Sequence, residues 1–590
     1  MNYEELIKKL ANKKNLTIGE TQFLFRKIMN SEYNDEQITT ILLGLADKGE
    51  VSDEITGGAS VLREKSLKVT LEEDVLDMCG TGGDGKHTLN ISTAASIVLA
   101  SMNINVAKHG NKALTSKSGS ADVLEKLNID ILKNPEQVKK SIHEHQFGFM
   151  FAPHYHSAMK NVAGVREKLG RRTIFNLLGP LCNPANAKFQ CIGIYAKELL
   201  NAYSESVLKL GAKKAWVFHS HDGLDEISIF AKTEVIEINK KYLKKFIIEP
   251  RDFLKKNYEF KDIVGGDAEY NASKIIELFE GKESAFLEIV SLNSAAGLVV
   301  INQETDLLSA YKKVKSHILN GSVMKKYKEL KIIYEIIQKK KLEIIEDKKK
   351  HPLSEVKNSI NKNDFNFKKQ LNKFKEQNKI AIIAEVKKAS PSKGVFVNDF
   401  DHLSIASQYL ESGAACLSVL TEKNYFLGSK KYLQDIKKKI NLPILCKDFF
   451  IDPYQVYEAS MIGADCILII LKSSNDELVL NLYDAAMECG LDCIIEVHNE
   501  DEMERAIKFE NAIIGINNRN LKSFETDLKT TINICNTFNL GEKTLICESG
   551  INNKEDINYI FEKTKISNFL VGESLIRSPS IYDKMKELIA

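Results

Sequence analysis

The sequence predicts an α/β protein in three parts: a small helical domain, a larger α/β domain and a (β/α)8 TIM barrel. Three observations lead there. Residues 3–68 show helical periodicity and almost no strand signal. From Val75 strand-like runs alternate with helix-like ones. After residue 380 eight apolar runs follow one another at nearly regular spacing. Over 590 residues this gives expected units at 1–70, 71–330 and 331–590.

Composition narrows the function classes. The 82 basic and 80 acidic residues leave a net charge of +2, without the basic excess that a nucleic-acid partner needs. Residues 1–20 are polar, with no apolar leader segment, and CILIIL (466–471) is far too short to span a bilayer. The ten cysteines form no C-x-x-C pair; Cys79, Cys416, Cys446, Cys466, Cys493 and Cys547 lie in strand-like runs, where a thiol acts as a small hydrophobe. A reduced, cytoplasmic protein with no nucleic-acid or membrane partner is expected.

In the first part, LTIGE and YNDEQITTILLGLADKGEVSDEITGGASVLREK read as short helices. They open at Thr, Asn or Ser-Asp and close near Gly. In the second, VLDMC, INVAK and AWVFH read as strands. Between the first strand and the helix-like ISTAASIVLASM lies GTGGDG (80–85), where glycines permit positive φ and close approach of N–H groups to an anion. The helix start at Asn90–Thr93 adds unpaired N–H donors and the hydroxyls of Ser92 and Thr93. The spacing is neither that of a Rossmann loop nor that of a P-loop, so it does not name the ligand.

Further polar groups surround this loop in sequence. KHGNKALTSKSGSADVLE (108–125) offers a lysine and hydroxyls suited to phosphate, and Arg166 a fork suited to a carboxylate. Asp225 and Glu226, adjacent in DGLDE, suggest Mg²⁺ held through oxygen. His143, His145, His154 and His156 lack the cysteine or acidic partner of a zinc pattern; His109 and His156 are expected in the acceptor pocket.

Residues 322–352 contain no Gly/Ser/Pro linker. Ile332, Ile333, Ile336, Ile337, Leu342 and Ile345 recur at helical spacing among lysines, which read as a solvated helix face rather than a localisation signal. The barrel follows as AIIAEVK (381), CLSVLT (416), PILCKD (443), CILIIL (466), CIIEVH (493), AIIGINN (512), TLICESG (544) and NFLVGES (568), about 27 residues apart on average. Glu385 and Lys387, Lys447 and Asp448, Glu496, Asn517, Glu548 and Ser549 cluster at the C-terminal strand ends, where barrel active sites form.

Residues 1–330 resemble the anthranilate phosphoribosyltransferases through GTGGDG, NIST, KHGN, SGSADVLE, FAP-x-x-H-x-AMK, RTIFNLLGPL-x-NPA, DGLDE and GGDAE. The resemblance implies a fold of the nucleoside phosphorylase/phosphoribosyltransferase type and Mg²⁺-dependent transfer of ribose 5-phosphate from phosphoribosyl pyrophosphate to the anthranilate amine. It would place Gly80, Gly83, Asp84, Thr88, Asn90, Ile91, Ser92 and Thr93 around pyrophosphate and metal. Lys108, Asn111 and Ser120 would complete the donor and acceptor pockets, and Arg166 would hold the anthranilate carboxylate. Ser92, Asp225 and Glu226 would bind metal directly or through water. Lys112, Leu114, Thr115 and Ser157 depart conservatively from the family pattern. A pyrimidine-nucleoside phosphorylase shares the fold and a similar loop, but has no need of the Asp225–Glu226 pair.

Residues 331–590 resemble indole-3-glycerol phosphate synthase through AEVKKASPSKG, PILCKDFF, IIEVH, IGINNRNL, ESGI and FLVGESLIRSP. This implies cofactor-free decarboxylation and ring closure of carboxyphenylamino-deoxyribulose phosphate. Lys447 would be the general acid, Glu496 its electrostatic or base partner, and Lys387 the group assisting dehydration, accompanied by Glu385. Asn517 and Ser549 would position hydroxyls, while Ser390 and the backbone of Gly550, Gly572 and Glu573 would take the phosphate. Lysines in such roles are expected to have lowered pKa values. The alternative is a non-catalytic scaffold barrel, against which the intact Lys387, Lys447 and Glu496 speak. A homodimer through the helical domain, and association with a separate isomerase, follow from the resemblances alone.

Overall fold

The computed structural model describes residues 2–113, 117–240, 242–254, 256–360, 366–390, 394–519 and 526–590, and within these all side chains but those of Ile332 and Ile333. Leu114, Thr115, Pro391 and Ser392 lie outside the described residues. The chain forms two compact units, Met1–Ile332 and Ile333–Ala590.

The first unit begins with α1 (Tyr3–Ala11), α2 (Ile18–Met29), α3 (Asp35–Lys48) and α4 (Ser52–Lys65). Local chemistry fixes their ends. Asn2, Thr17 and Asn34 cap the first three helices through their side-chain oxygens, and Gly49 closes α3 at φ 87°. The fourth differs from the expected Ser-Asp cap: Val51 precedes Ser52, and the buried Glu54 carboxylate accepts the Val51 N–H at 3.0 Å and holds Lys48 at 2.9 Å.

A seven-stranded sheet follows, built of β1 (Leu76–Gly80), β2 (Val106–Gly110), β3 (Phe147–Phe151), β4 (Phe189–Gly193), β5 (Lys214–Ser220), β6 (Thr233–Asn239) and β7 (Tyr242–Ile248). Their order is β3-β2-β1-β4-β5-β6-β7; the first five are parallel, β6 runs antiparallel to β5, and β7 runs antiparallel to β6. Strand order reverses between β1 and β4, and the crevice beyond their C-terminal ends is where open α/β sheets bind ligands. The loop 80–85 leaves β1 at that point. Behind the sheet, α5 (Ile91–Ser101) and the helix Ala285–Val300 are buried almost along their length.

The second unit is a closed barrel of eight parallel strands: β8 (Ala381–Val386), then β11 (Cys416–Leu420), β12 (Ile444–Lys447), β13 (Cys466–Ile470), β14 (Asp492–Val497), β15 (Ile513–Asn517), β16 (Leu545–Glu548) and β17 (Asn568–Val571). A short ribbon, β9 (Ala389–Ser390) with β10 (Gly394–Val395), follows the first strand. Ala381, Ile383, Cys416, Leu445, Cys466, Leu468, Ile494, Ile513, Ile546 and Leu570 fill the barrel, with Phe367 and Leu371 from the helix Asn366–Glu376. Side chains alternate between interior and helix layer along a strand. Glu385, Lys447, Glu496, Asn517 and Glu548 share the inward parity of those residues, so one register aims five polar side chains into the barrel mouth.

Asp448 falls on the opposite parity and corrects an expectation. It accepts from Thr421 Oγ1 at 2.7 Å and pairs with Lys340 Nζ at 2.9 Å, away from Lys447. Lys340 belongs to the helix Ser322–Lys350, whose lysines were expected to be solvated; it is 2% exposed and also meets Glu343 at 2.8 Å. Nearby, Lys430 bridges Asp347 and Glu458, both at 2.7 Å. A lone hydrophobic pattern does not reveal which lysine on such a face meets a buried carboxylate.

Candidate active sites

In the first unit the glycine loop is held open by Asp225. Gly80 and Gly193 are register partners at the ends of β1 and β4, and a Cβ on either would strike Asp225. Gly82, Gly83 and Gly85 take φ values of 66°, 76° and 72°, and the Gly82 N–H donates to Asp225 Oδ2 at 2.8 Å. Asp84 turns back on the loop, accepting the Lys86 N–H at 3.0 Å, while its Oδ2 is buried without a partner. Arg172 donates to Gly83 O and stacks 4.1 Å from the Tyr195 ring centroid. Arg172 opens the RTIFNLLGPL motif, but sequence reasoning gave it no role.

Thr88 bridges to Val264, and Asn90 accepts from Asn271 Nδ2 at 2.9 Å and donates to Ser118 O at 3.3 Å. Ile91 and Thr93 turn their side chains into the core, so only their backbone faces the crevice, at the start of α5. Lys108 is 2% exposed and donates to Met78 O at 2.6 Å, with Ser92 Oγ at 3.4 Å. Burial lowers its pKa, and the buried Asp77 offsets this in part. Asn111 and Ser120 meet where Ser120 Oγ donates to Asn111 O at 3.3 Å. Lys112 lies away on the surface, paired with Glu125 at 3.0 Å.

Charge is unevenly balanced here. Burial, and then the neighbouring Asp84, push the Asp225 carboxyl up to about 7; burial and Asp225 push Glu226 well above the usual carboxylate range. Carboxylates gathered beside one lysine demand further positive charge. Among the described residues no three metal-ligating side chains form a ready cluster. The carboxylates of Asp225 and Glu226 are oxygen donors of the kind that Mg²⁺ takes.

Arg166, half-buried on the helix Lys160–Leu169, stacks 5.5 Å from the Phe175 ring centroid, and burial lowers its pKa. Further along the same segment Gly179 O is 3.2 Å from His109 Nδ1. The His109 and His156 rings lie 5.0 Å apart, each with a buried Nε2 lacking a partner. Burial lowers them to about 3 and about 4, so both are neutral imidazoles. The other histidines go elsewhere: His143 to Glu73, His145 to Glu144 and His154 against Tyr155.

In the barrel, Lys447 Nζ sits 3.1 Å from Glu385 Oε1 and 3.4 Å from Glu548 Oε2, and Lys387 pairs with the other oxygen of Glu385. Two glycines make room: a Cβ on Gly515 would strike Glu548 Oε1, and one on Gly572 would strike Glu385 Oε2. Although burial alone lowers a lysine, the carboxylates of Glu385 and Glu548 hold Lys447 well above its ordinary value. This overturns the expected lowering and keeps the ammonium protonated. Against burial, Lys387 and Lys447 hold Glu385 down to about 2. Burial and the other carboxylates lift Glu548 to about 7. Glu548 ends a strand whose alternation already pointed it inward, and it joins the assigned residues.

Glu496, 3% exposed, is not among the ion-pair partners of Lys447; its Oε1 lies 3.3 Å from His498 Nε2, and Asn517 hydrogen-bonds it. Ser549 (φ 65°) and Gly550 (φ 88°) turn the chain after β16, braced by Asn518 Nδ2, which donates to Ser549 O at 3.1 Å. Gly572 precedes the short helix Glu573–Ile576; the Glu573 side chain pairs with Arg519 and Arg577 at 3.3 and 3.2 Å. Ser390 Oγ is buried without a partner.

Both units match known families. Residues 4–66 and 72–324 match the glycosyl transferase family, helical bundle domain and a/b domain respectively, and residues 333–588 match the family described as indole-3-glycerol phosphate synthase. An anthranilate phosphoribosyltransferase of Pelagibacter ubique is 45% identical over 324 residues, covering 55% of this chain and 98% of the relative. The crystal structure of the Thermus thermophilus anthranilate phosphoribosyltransferase aligns with a TM-score of 0.53 at 33% identity, over 56% of this chain and 99% of that one. The Saccharomyces cerevisiae enzyme in complex with PRPP and Mg aligns with a TM-score of 0.52 at 26% identity, over 56% and 97%. Among the described residues no helix is long and apolar enough to cross a membrane. The chain belongs to the anthranilate phosphoribosyltransferase family and carries an indole-3-glycerol phosphate synthase domain in the same polypeptide.

Proposed function

We propose that this chain is a bifunctional enzyme of tryptophan biosynthesis. Its first unit transfers phosphoribose from phosphoribosyl pyrophosphate to anthranilate, and its barrel closes carboxyphenylamino-deoxyribulose phosphate to indole-3-glycerol phosphate. For the transferase, the supporting observation is Asp225 locked beneath Gly80 and Gly193 while accepting from Gly82. That lock holds the loop N–H groups and the first turn of α5 toward one anion, the pyrophosphate. Ser92, Asp225 and Glu226 would hold Mg²⁺, which supplies charge neutralisation to the departing pyrophosphate. Gly80, Gly83, Asp84, Thr88 and Asn90–Thr93 frame that group, with Lys108, Asn111 and Ser120 at its edge. Arg166, half-buried over Phe175, takes the anthranilate carboxylate. The amine attacks the anomeric carbon as the pyrophosphate oxygen leaves, and the ammonium proton is lost to solvent.

For the barrel, Lys447 between Glu385 and Glu548 supports the reading. The ring carbon bearing the carboxylate attacks the ketone carbon, and Lys447 gives a proton to the ketone oxygen. Carbon dioxide then leaves with its bonding pair returned to the ring. Lys387 assists departure of the new hydroxyl as water, and Glu548, near neutrality, is suited to take the proton lost from the adjacent carbon. Glu496 steadies the developing positive charge, Asn517 and Ser549 orient hydroxyls, and Ser390 with the backbone at Gly550, Gly572 and Glu573 takes the phosphate.

An aldose-to-ketose rearrangement separates the product of the first reaction from the substrate of the second. Among the described residues neither site offers a second constellation for it, and on this reading a separate isomerase supplies that step. Purified chain supplied with anthranilate, phosphoribosyl pyrophosphate and Mg²⁺ should yield phosphoribosylanthranilate and no indole-3-glycerol phosphate until an isomerase is added. Indole-3-glycerol phosphate without the isomerase would overturn this scheme.

A further inference from the structure

The barrel contains an ion triad of which the ring-closure scheme uses only Glu496. At the end of β14 the His498 imidazole lies between two carboxylates, with Nε2 3.3 Å from Glu496 Oε1 and Nδ1 3.1 Å from Glu502 Oε2. Its side chain is 8% exposed, and Glu496 and Glu502 are 4% and 3% exposed at theirs. Glu502 also accepts the His498 backbone N–H at 2.9 Å, and Asn499 caps the helix Glu500–Ala506 that carries it. The imidazole is thus hydrogen-bonded at Nδ1 and tied at its backbone N–H, both to Glu502, while Nε2 faces Glu496 at ion-pair distance without a hydrogen bond. With a carboxylate facing each ring nitrogen the position favours the cation, since a neutral ring carries only one N–H to offer.

We propose that His498 is a positioning residue for ring closure, its imidazolium clamped by Glu502 and holding Glu496 ionised and oriented in the barrel mouth. The proposal rests on the barrel reading given above. Glu496 is also faced by Lys447 from β12, Asn517 from β15 and Glu548 from β16. Lys447 spends its ion pairs on Glu385 and Glu548, which leaves His498 as the cation in contact with Glu496. Although burial opposes it, the two carboxylates lift the His498 pKa to about 9, so the clamp is intact at neutral pH and opens in alkali.

The test is the pH profile of kcat for ring closure in the full chain, with transferase activity as an internal control. The parent should lose activity as pH rises through about 9. His498→Gln should lower kcat at pH 7.5 by about tenfold or more, leave KM within about twofold, and abolish the fall near 9. Glu502→Gln, with the imidazole tied on one side only, should move that fall down by about 1–3 pH units; it carries the test alone if His498→Gln does not fold. Both variants should keep parental transfer. Lys447→Met is measured alongside. If it is inactive while His498→Gln keeps the parental limb, or while Glu502→Gln leaves the limb in place, the clamp is refuted and the barrel reading stands. If Lys447→Met is active, the assignment of Lys447 as the acid has failed and the acid role passes to Lys387.

Discussion

The two sites seat carboxylates on glycine in the same way and then charge them in opposite ways. Gly80 and Gly193 clear space for Asp225; Gly515 and Gly572 clear space for Glu548 and Glu385. In the transferase unit burial, and then the neighbouring carboxylates, push Asp225 and Glu226 up. In the barrel, Glu385 and Glu496 are pulled down because lysine and histidine stand beside them. On the proposed reading the first site receives its cation with the substrate. The second carries its cations in its own strands, and only Glu548 is left near neutrality. The two glycine-lined seats are thus similar in geometry and opposite in electrostatics, as the two proposed reactions require.

The contrast can be broken first at the metal side. Asp225→Asn with Glu226→Gln should cut transfer by at least ~10³-fold, since a bound cation supplies several kcal/mol to a leaving anion. Ring closure in the same chain should stay within twofold. A double variant with near-parental transfer at limiting Mg²⁺ would remove the metal assignment.

A second test concerns what the barrel needs in order to hold its own charges. Lys340 and Asp448 are buried together, and deleting one partner of such a pair costs roughly 3–5 kcal/mol. A fragment of residues 331–590 should fold and catalyse closure, whereas one of residues 353–590 should lose that stability in urea unfolding. Equal stability would show that the helix segment is dispensable.

Next in size, Lys447→Met should reduce closure by at least ~10²-fold and spare transfer. An active variant would shift the acid role to Lys387. The smallest effect is on the acid side of the stability curve. Glu385 sits at about 2 when folded, against an ordinary 4.5. Its ion pairs therefore stabilise the barrel fully above pH 4.5, and that contribution is lost as pH falls toward 2. Glu385→Gln should flatten the pH dependence of unfolding over that window in the 331–590 fragment. An unchanged slope would mean that the lysines stabilise the folded state by other contacts.

Much of this was legible in the chain itself. Alternation along eight strands is a local property, so Glu385, Lys447, Glu496, Asn517 and Glu548 could be aimed inward from sequence, and GTGGDG announced a backbone-lined anion site. What pattern could not give is pairing across the fold. The same parity that sends Lys447 inward sends Asp448 out to Lys340, a partner more than a hundred positions earlier. Reading every polar strand end as active site therefore misplaced Asp448. The upward shift of Lys447 was missed for a related reason: its sign depends on Glu385 and Glu548, contributed by the first and seventh strands of the barrel. His498 could be found only once the helix after it placed Glu502 over the ring.

The central claim is that one site awaits its cation and the other carries its own, and one titration tests it. Transfer and ring closure should be measured in the same preparation of the full chain while Mg²⁺ is withdrawn with a chelator. The account predicts that transfer falls to background and closure remains within twofold of its starting rate, with transfer restored by added Mg²⁺. Loss of both activities together, or transfer that persists without the metal, would contradict it.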